Sequence, residues 1–172
     1  MLRGASMKAS NYREVKGVPY TRKEYSRGVP QPRITKFTMG DPSGDFEHRL
    51  LLVSEKKTQI RHNALEAARI ATNRYLQEKL GTNSYFLRIL PYPHVILREN
   101  KMLFGAHADR LQDGMRKAFG KPVGTAARVG TNQPVILVYV NKDGVEAAKE
   151  ALRRGAAKLP NTYRIVIEKV KD

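Results

Sequence analysis

The run PVILVYVNKDGVEAAKEALRRGAAKLPNTYRIVIEKV, residues 134–170, decides how this chain folds. Pro134 to Val140 is almost wholly apolar, the mark of a strand buried on both faces and central in its sheet. Asp143 followed three residues later by Glu146 has the spacing of a helix cap, and Val145, Ala148, Ala151 and Leu152 then recur on one helical face. Lys149, Arg153, Arg154 and Lys158 line the other. Pro160 and Asn161 end the helix, and Tyr163 to Val170 alternates as a last strand.

Working back toward the N-terminus, Gly124 to Val129 reads as another strand, and Tyr85 to Leu90 and His94 to Arg98 as two more, divided by Pro91 and Pro93 and expected to pair or cross at that corner. Asn63 with Glu66 resembles a capping box, and Ala64, Leu65, Ala68, Ala71, Tyr75 and Leu76 continue at helical spacing. That helix should stop near Lys79, with Gly81 as a left-handed C-terminal residue. A turn at Asp41 to Gly44 precedes a first strand, Phe46 to Val53. Paired strands with two long helices point to an α+β fold, with one sheet covered on one side, rather than a doubly wound parallel sheet.

Residues 1–40 differ in kind. Arg3, Lys8, Arg13, Lys16, Arg22, Lys23, Arg27, Arg33 and Lys36 oppose only Glu14 and Glu24, and Tyr12, Tyr20, Tyr25 and three prolines lie among them without apolar periodicity. Such a segment suits an extended arm lying on a polyanion, with 41–172 forming a single globular domain. Within that domain, residues 101–121 show little sustained periodicity and read as a long loop, a type that is usually functional or disordered.

The chain of 172 residues carries 32 Lys and Arg against 16 Asp and Glu, a net charge of +16 that a polyanion partner would relieve. The longest apolar run near the first strand, Leu50 to Val53, is far too short to cross a bilayer, so no membrane partner is expected. The polar, basic stretch from Met1 to Asn11 lacks a secretory signal, and a cytoplasmic protein is the expectation. Zero cysteines exclude disulfides, thiolate metal sites and a Cys nucleophile.

Catalytic constellations are weak. Gly114 to Lys121 resembles a phosphate-binding loop only superficially: five residues separate Gly114 from Gly120 where four are needed, and Pro122 stands where Ser or Thr should hold magnesium. Asp109 and Asp113 share a helical face and give the best enzyme hypothesis, a metal-dependent RNA-processing site, but Arg110, Arg116 and Lys117 suit neutralising them in a short solvated helix. His48, His62, His94 and His107 lack metal-ligand spacing. The sequence therefore predicts no catalytic site, no metal and no cofactor. RNA is favoured, because cations release condensed counterions from phosphate and Tyr faces stack on unpaired bases. A nonspecific nucleic-acid-coating protein is the remaining alternative.

Several ordered stretches carry a resemblance: Lys16-Gly17-Val18-Pro19-Tyr20, Arg27-Gly28-Val29-Pro30, Leu65-Glu66-Ala67-Ala68-Arg69-Ile70, Lys101-Met102-Leu103, and Ala108-Asp109-Arg110-Leu111-Gln112 leading through Gly114-Met115-Arg116 and Ala118-Phe119-Gly120-Lys121-Pro122 to Gly124-Thr125-Ala126-Ala127-Arg128-Val129. They resemble the large-subunit ribosomal protein family called L-ten-e in archaea and eukaryotes, whose bacterial counterpart is L-sixteen. The resemblance implies an α/β-hammerhead-like domain seated in large-subunit ribosomal RNA near the central protuberance and the tRNA path, monomeric within the ribosome. Partners would be that RNA, tRNA and neighbouring ribosomal proteins. By the same resemblance Arg3, Lys8, Arg13, Lys16, Tyr20, Arg22, Lys23, Arg27, Arg33 and Lys36 would thread along ribosomal RNA. Lys101, Arg110, Arg116, Lys117 and Lys121 would belong to a loop reaching toward tRNA and the peptidyl-transferase region. The absent cysteines and the end soon after Val170 look archaeal.

Overall fold

The computed structural model describes residues 8–19, 21, 23–101 and 113–170, with the side chain of Lys23 excepted. Its strands are β1 (Thr38–Gly40), β2 (His48–Ser54), β3 (Thr58–Arg61), β4 (Tyr85–Ile89), β5 (Val95–Glu99), β6 (Lys121–Val129), β7 (Pro134–Val140) and β8 (Tyr163–Lys169); its α-helices are α1 (His62–Leu80) and α2 (Val145–Ala156). The α+β class is as expected, but the strands divide between two antiparallel sheets where the sequence suggested one. Five strands run in the order β1-β4-β7-β2-β8 and three in the order β3-β6-β5.

β7 is central, as its apolar run requires, pairing β4 on one side and β2 on the other. Strand alternation sends Leu50, Leu52, Leu87, Ile89, Ile136 and Val138 into one core with Leu65, Ala68 and Leu76 of α1 and Ala148, Ala151 and Leu152 of α2. β4 and β5 do not pair with each other; the proline corner between them carries the chain from the larger sheet to the smaller.

Neither expected helix cap forms. Arg61 stands at the N-cap of α1 without a side-chain cap bond, because Glu66 turns to Arg69, whose Nε and Nη2 donate to it at 2.9 and 2.6 Å. The Asn63 Oδ1 is buried without a partner. At α2 a 3₁₀ turn, Lys142–Gly144, takes up Asp143, and Glu146 accepts instead from Lys149 at 2.6 Å. Gly81 has the positive φ required of it, 82°, but its ψ of 173° is not that of a left-handed helical residue.

The end of the basic segment belongs to the core. Ile34 is 1% exposed, Phe37 packs on the same cluster, and β1 pairs β4 in register from Thr38 opposite Arg88. Burying a side chain of that size contributes about 1.5–3 kcal/mol, enough to fix this stretch against the sheet.

Candidate nucleic-acid interface

The smaller sheet holds the basic segment. The backbone N–H of Gln59 donates to the carbonyl of Arg13 at 2.9 Å, its side-chain Nε2 donates to the carbonyl of Tyr12 at 2.9 Å, and Arg128 Nη1 donates to the carbonyl of Gly17 at 2.7 Å. Further along, the N–H of Arg33 donates to His62 Nδ1 at 2.8 Å. These bonds use the backbone of the segment, so the side chains of Lys8, Arg13, Lys16, Arg27, Arg33 and Lys36 are left exposed. Lys16 meets Glu14 at 2.9 Å in a pair exposed on both sides, which holds neither strongly. Lys23 opens a 3₁₀ turn, Lys23–Tyr25. Arg3, Tyr20, Arg22, Arg110 and Asp109 lie outside the described residues.

The segment and the base of the long loop converge on one cleft of about 660 Å³, lined by Tyr25 to Pro30, Arg98 and Phe119 to Pro122. Among the described residues that line it the cations are Arg27, Arg98 and Lys121, and none is acidic. The Arg98 guanidinium lies 3.5 Å from the centroid of the Phe119 ring and donates to the Phe119 carbonyl at 3.0 Å. Phe119 and Tyr25 are both more than half exposed, at 57% and 66%. Two aromatic faces and three cations therefore open on solvent together, the combination that stacks bases and neutralises phosphates.

Gly120 makes this cleft possible. Its φ is +74°, and a Cβ there would lie 2.7 Å from the Glu99 carbonyl carbon, so the chain can bend over the end of β5 only with glycine. An adjoining cavity of about 720 Å³ includes Lys101, Asp113, Lys117 and Lys121. There Lys117 pairs with Asp113 at 2.7 Å, and that bond raises the Lys117 pKa. The neutralising role expected for Lys117 is thus seen, within the 3₁₀ turn Gly114–Lys117 rather than a longer helix. Arg116 is exposed.

Sequence reasoning missed Arg98, Phe119 and Arg128 as site residues, and with them Arg61, whose guanidinium lies 5.9 Å from the Tyr12 ring. Arg98 and Arg128 each interrupt a run of buried residues, the first within 95–99 and the second within 124–129, which was the available signal. Burial raises the Tyr12 pKa, with Glu99 adding to the rise and Arg61 opposing it. Among the described residues no group of three or more His, Asp or Glu side chains could hold a metal ion.

The fold and this cleft define a basic α+β protein with an open, cationic and aromatic binding surface. The model for the family described as ribosomal protein L16p/L10e matches residues 15–166, and the chain belongs to that family. It is 58% identical to the large ribosomal subunit protein uL16 of Staphylothermus marinus, over 93% of this chain and 92% of that one. It is 56% identical to the uL16 of Hyperthermus butylicus over 91% and 87%. With the uL16 of Saccharolobus solfataricus it shares 52% identity over 91% and 89%.

Proposed function

We propose that this chain is a structural constituent of the large ribosomal subunit that binds large-subunit ribosomal RNA and catalyses no reaction. Family membership supports the class. The observation that carries the RNA contact is the cleft in which Arg27, Arg98 and Lys121 surround the exposed rings of Tyr25 and Phe119. The two sheets and two helices act as a rigid platform; the basic segment anchors by counterion release, and RNA positions the loop. The exposed Lys8, Arg13, Lys16, Arg33 and Lys36 are further cations that the basic segment offers to RNA outside the cleft. As a ribosomal protein the chain works in the cytoplasm; no described helix is long and apolar enough to cross a membrane.

A finer reading places the chain near the central protuberance, with the loop 101–121 reaching toward tRNA and the peptidyl-transferase region. Its support is that Lys101, Lys117 and Lys121 line one cavity at the base of that loop. Sedimentation of lysate through sucrose at moderate and high salt tests the class: stoichiometric migration with large subunits is expected, and migration as a free small protein would reject it. Shortening the loop between Gly105 and Gly120 should spare incorporation but slow translation, and normal translation by such subunits would reject the loop's role.

A further inference from the structure

The helix layer carries a second groove, which shares no lining residue with the cleft. Where α1 and α2 pack together it encloses about 490 Å³ between Arg74, Tyr75 and Glu78 of α1, Arg154 in the last turn of α2, and Lys158 just beyond that helix. Arg74 stands more than three turns, roughly 18 Å, along α1 from His62, the residue to which the basic segment is tied. The groove is therefore a place of its own on the surface.

Its central feature is a guanidinium held in place. Arg154 lies 4.0 Å from the centroid of the Tyr75 ring, and its Nε donates to Glu150 Oε1 at 3.2 Å. Stacking sets the plane of the guanidinium and the Nε bond sets its rotation, so the fork is pre-organised for an anion. Arg74 and Lys158 are exposed, and neither side chain makes a salt bridge with a described residue. The cleft uses the same device, with Arg98 stacked on Phe119 beside Arg27 and Lys121. Glu78 is the one acid among the groove's described lining residues, against three cations.

The occupant follows from what the groove offers. A protein partner needs an apolar anchor that binding can bury. Here only Ala71 and Ala157 present aliphatic surface, and Arg154 already covers a face of the Tyr75 ring. Binding has to draw on charge, and three cations against one acid select a polyanion. In a ribosomal subunit the polyanion at hand is RNA: a fixed guanidinium fork matches phosphate oxygens two at a time, and the flanking cations release condensed counterions. We propose that the groove between α1 and α2 is a second RNA-binding site, in which Arg154, Arg74 and Lys158 hold the phosphate backbone of ribosomal RNA, so that the chain grips RNA by its helix layer as well as by the cleft.

The proposal rests on the ribosomal reading above, and its test separates the two. The full chain is titrated onto a transcript of large-subunit ribosomal RNA over a range of salt. Arg74→Gln and Lys158→Gln should each lower the slope of log K against log salt by about 1. Arg154→Lys keeps the charge but loses the fork and the stack, and should weaken binding roughly 3- to 10-fold at nearly constant slope. Lys142→Gln, at an exposed cation outside the groove, should change neither. Slopes that ignore Arg74 and Lys158, or that fall equally with Lys142, would overturn the site and leave the cleft standing. A second readout uses assembled subunits. The chain has no cysteine, so Ile70→Cys, one turn before Arg74 and 50% exposed, gives a unique attachment point for a benzophenone photoprobe. RNA is the expected cross-linked product; a protein product alone, or no product, would overturn the assignment. Absence of the chain from large subunits would instead reject the ribosomal reading and this proposal with it.

Discussion

The backbone N–H of Arg33 donates to Nδ1 of His62 across 2.8 Å, tying the basic segment to the first residue of α1. His62 is 9% exposed, and burial, followed by the positive charges of Arg33 and Arg61, lowers its pKa below the ordinary histidine value. The neutral ring accepts the Arg33 bond; a proton on Nδ1 abolishes it. Because the folded pKa lies below the unfolded one, the unfolded chain takes up the proton first. The contribution to stability is therefore full above the unfolded value of about 6.5 and is lost as pH falls through it toward the folded value. Urea midpoints should fall between about pH 7.5 and pH 5. His62→Asn keeps an acceptor without titrating and should flatten this dependence; an unchanged slope would show that other groups cause it.

The cleft separates charge from stacking in a binding assay. On a transcript of large-subunit ribosomal RNA, Arg27→Gln and Lys121→Gln should each reduce the slope of log K against log salt by about 1. Phe119→Ala should weaken binding by roughly 1–3 kcal/mol and leave the slope unchanged. A slope that moves with Phe119 rather than with the two cations would contradict the division of roles.

Gly120 and Gly28 both have positive φ, +74° and +84°, but differ in surroundings. A Cβ at Gly120 would strike the backbone of Glu99 and Asn100 at 2.7 and 2.8 Å, whereas at Gly28 nothing lies within 4 Å. Gly120→Ala should therefore cost roughly 2–4 kcal/mol, from strain and forced displacement of β5 together. Gly28→Ala should cost only about 1 kcal/mol, from the backbone conformation. Chemical denaturation of both variants checks the difference, and equal losses would mean that crowding at Gly120 is relieved elsewhere.

The elements legible in the sequence were those with long, one-sided or wholly apolar patterns. Pro134–Val140 and the amphipathic Val145–Ala156 fell where periodicity put them, because burial on the core side dictates residue type at each turn. β1 and β3, three and four residues long, were missed: Thr38–Gly40 looks like the tail of the basic segment, and Thr58–Arg61 like a polar connection. Pairing with β4 and β6 makes them strands, and pairing partners are not written locally. The caps failed for a related reason, since Glu66 and Glu146 had nearer cations on their own helices. At the cleft, Arg27 and Lys121 could be read from composition, but the stacking of Arg98 on Phe119 depends on a bend at Gly120 that brings distant residues together.

Where α1 and α2 cross, Gly155 faces Thr72, and a Cβ on Gly155 would lie 2.3 Å from the Thr72 Oγ1. Thr72 is fully buried and its hydroxyl finds no hydrogen-bond partner, so it has neither room to swing nor a bond to hold it. Gly155→Ala gains helix propensity worth about 1 kcal/mol but forces the helices apart, and overpacking of this kind costs roughly 1–3 kcal/mol, so a net loss is expected. Thr72→Val removes the unsatisfied hydroxyl at nearly constant volume and should raise stability by about 1 kcal/mol. Thr72→Ala opens the space that Gly155→Ala fills, so the double variant should lose less than the sum of the single losses. Strict additivity in that cycle, measured by urea denaturation, would show that the two positions do not touch in solution as they do in this structure.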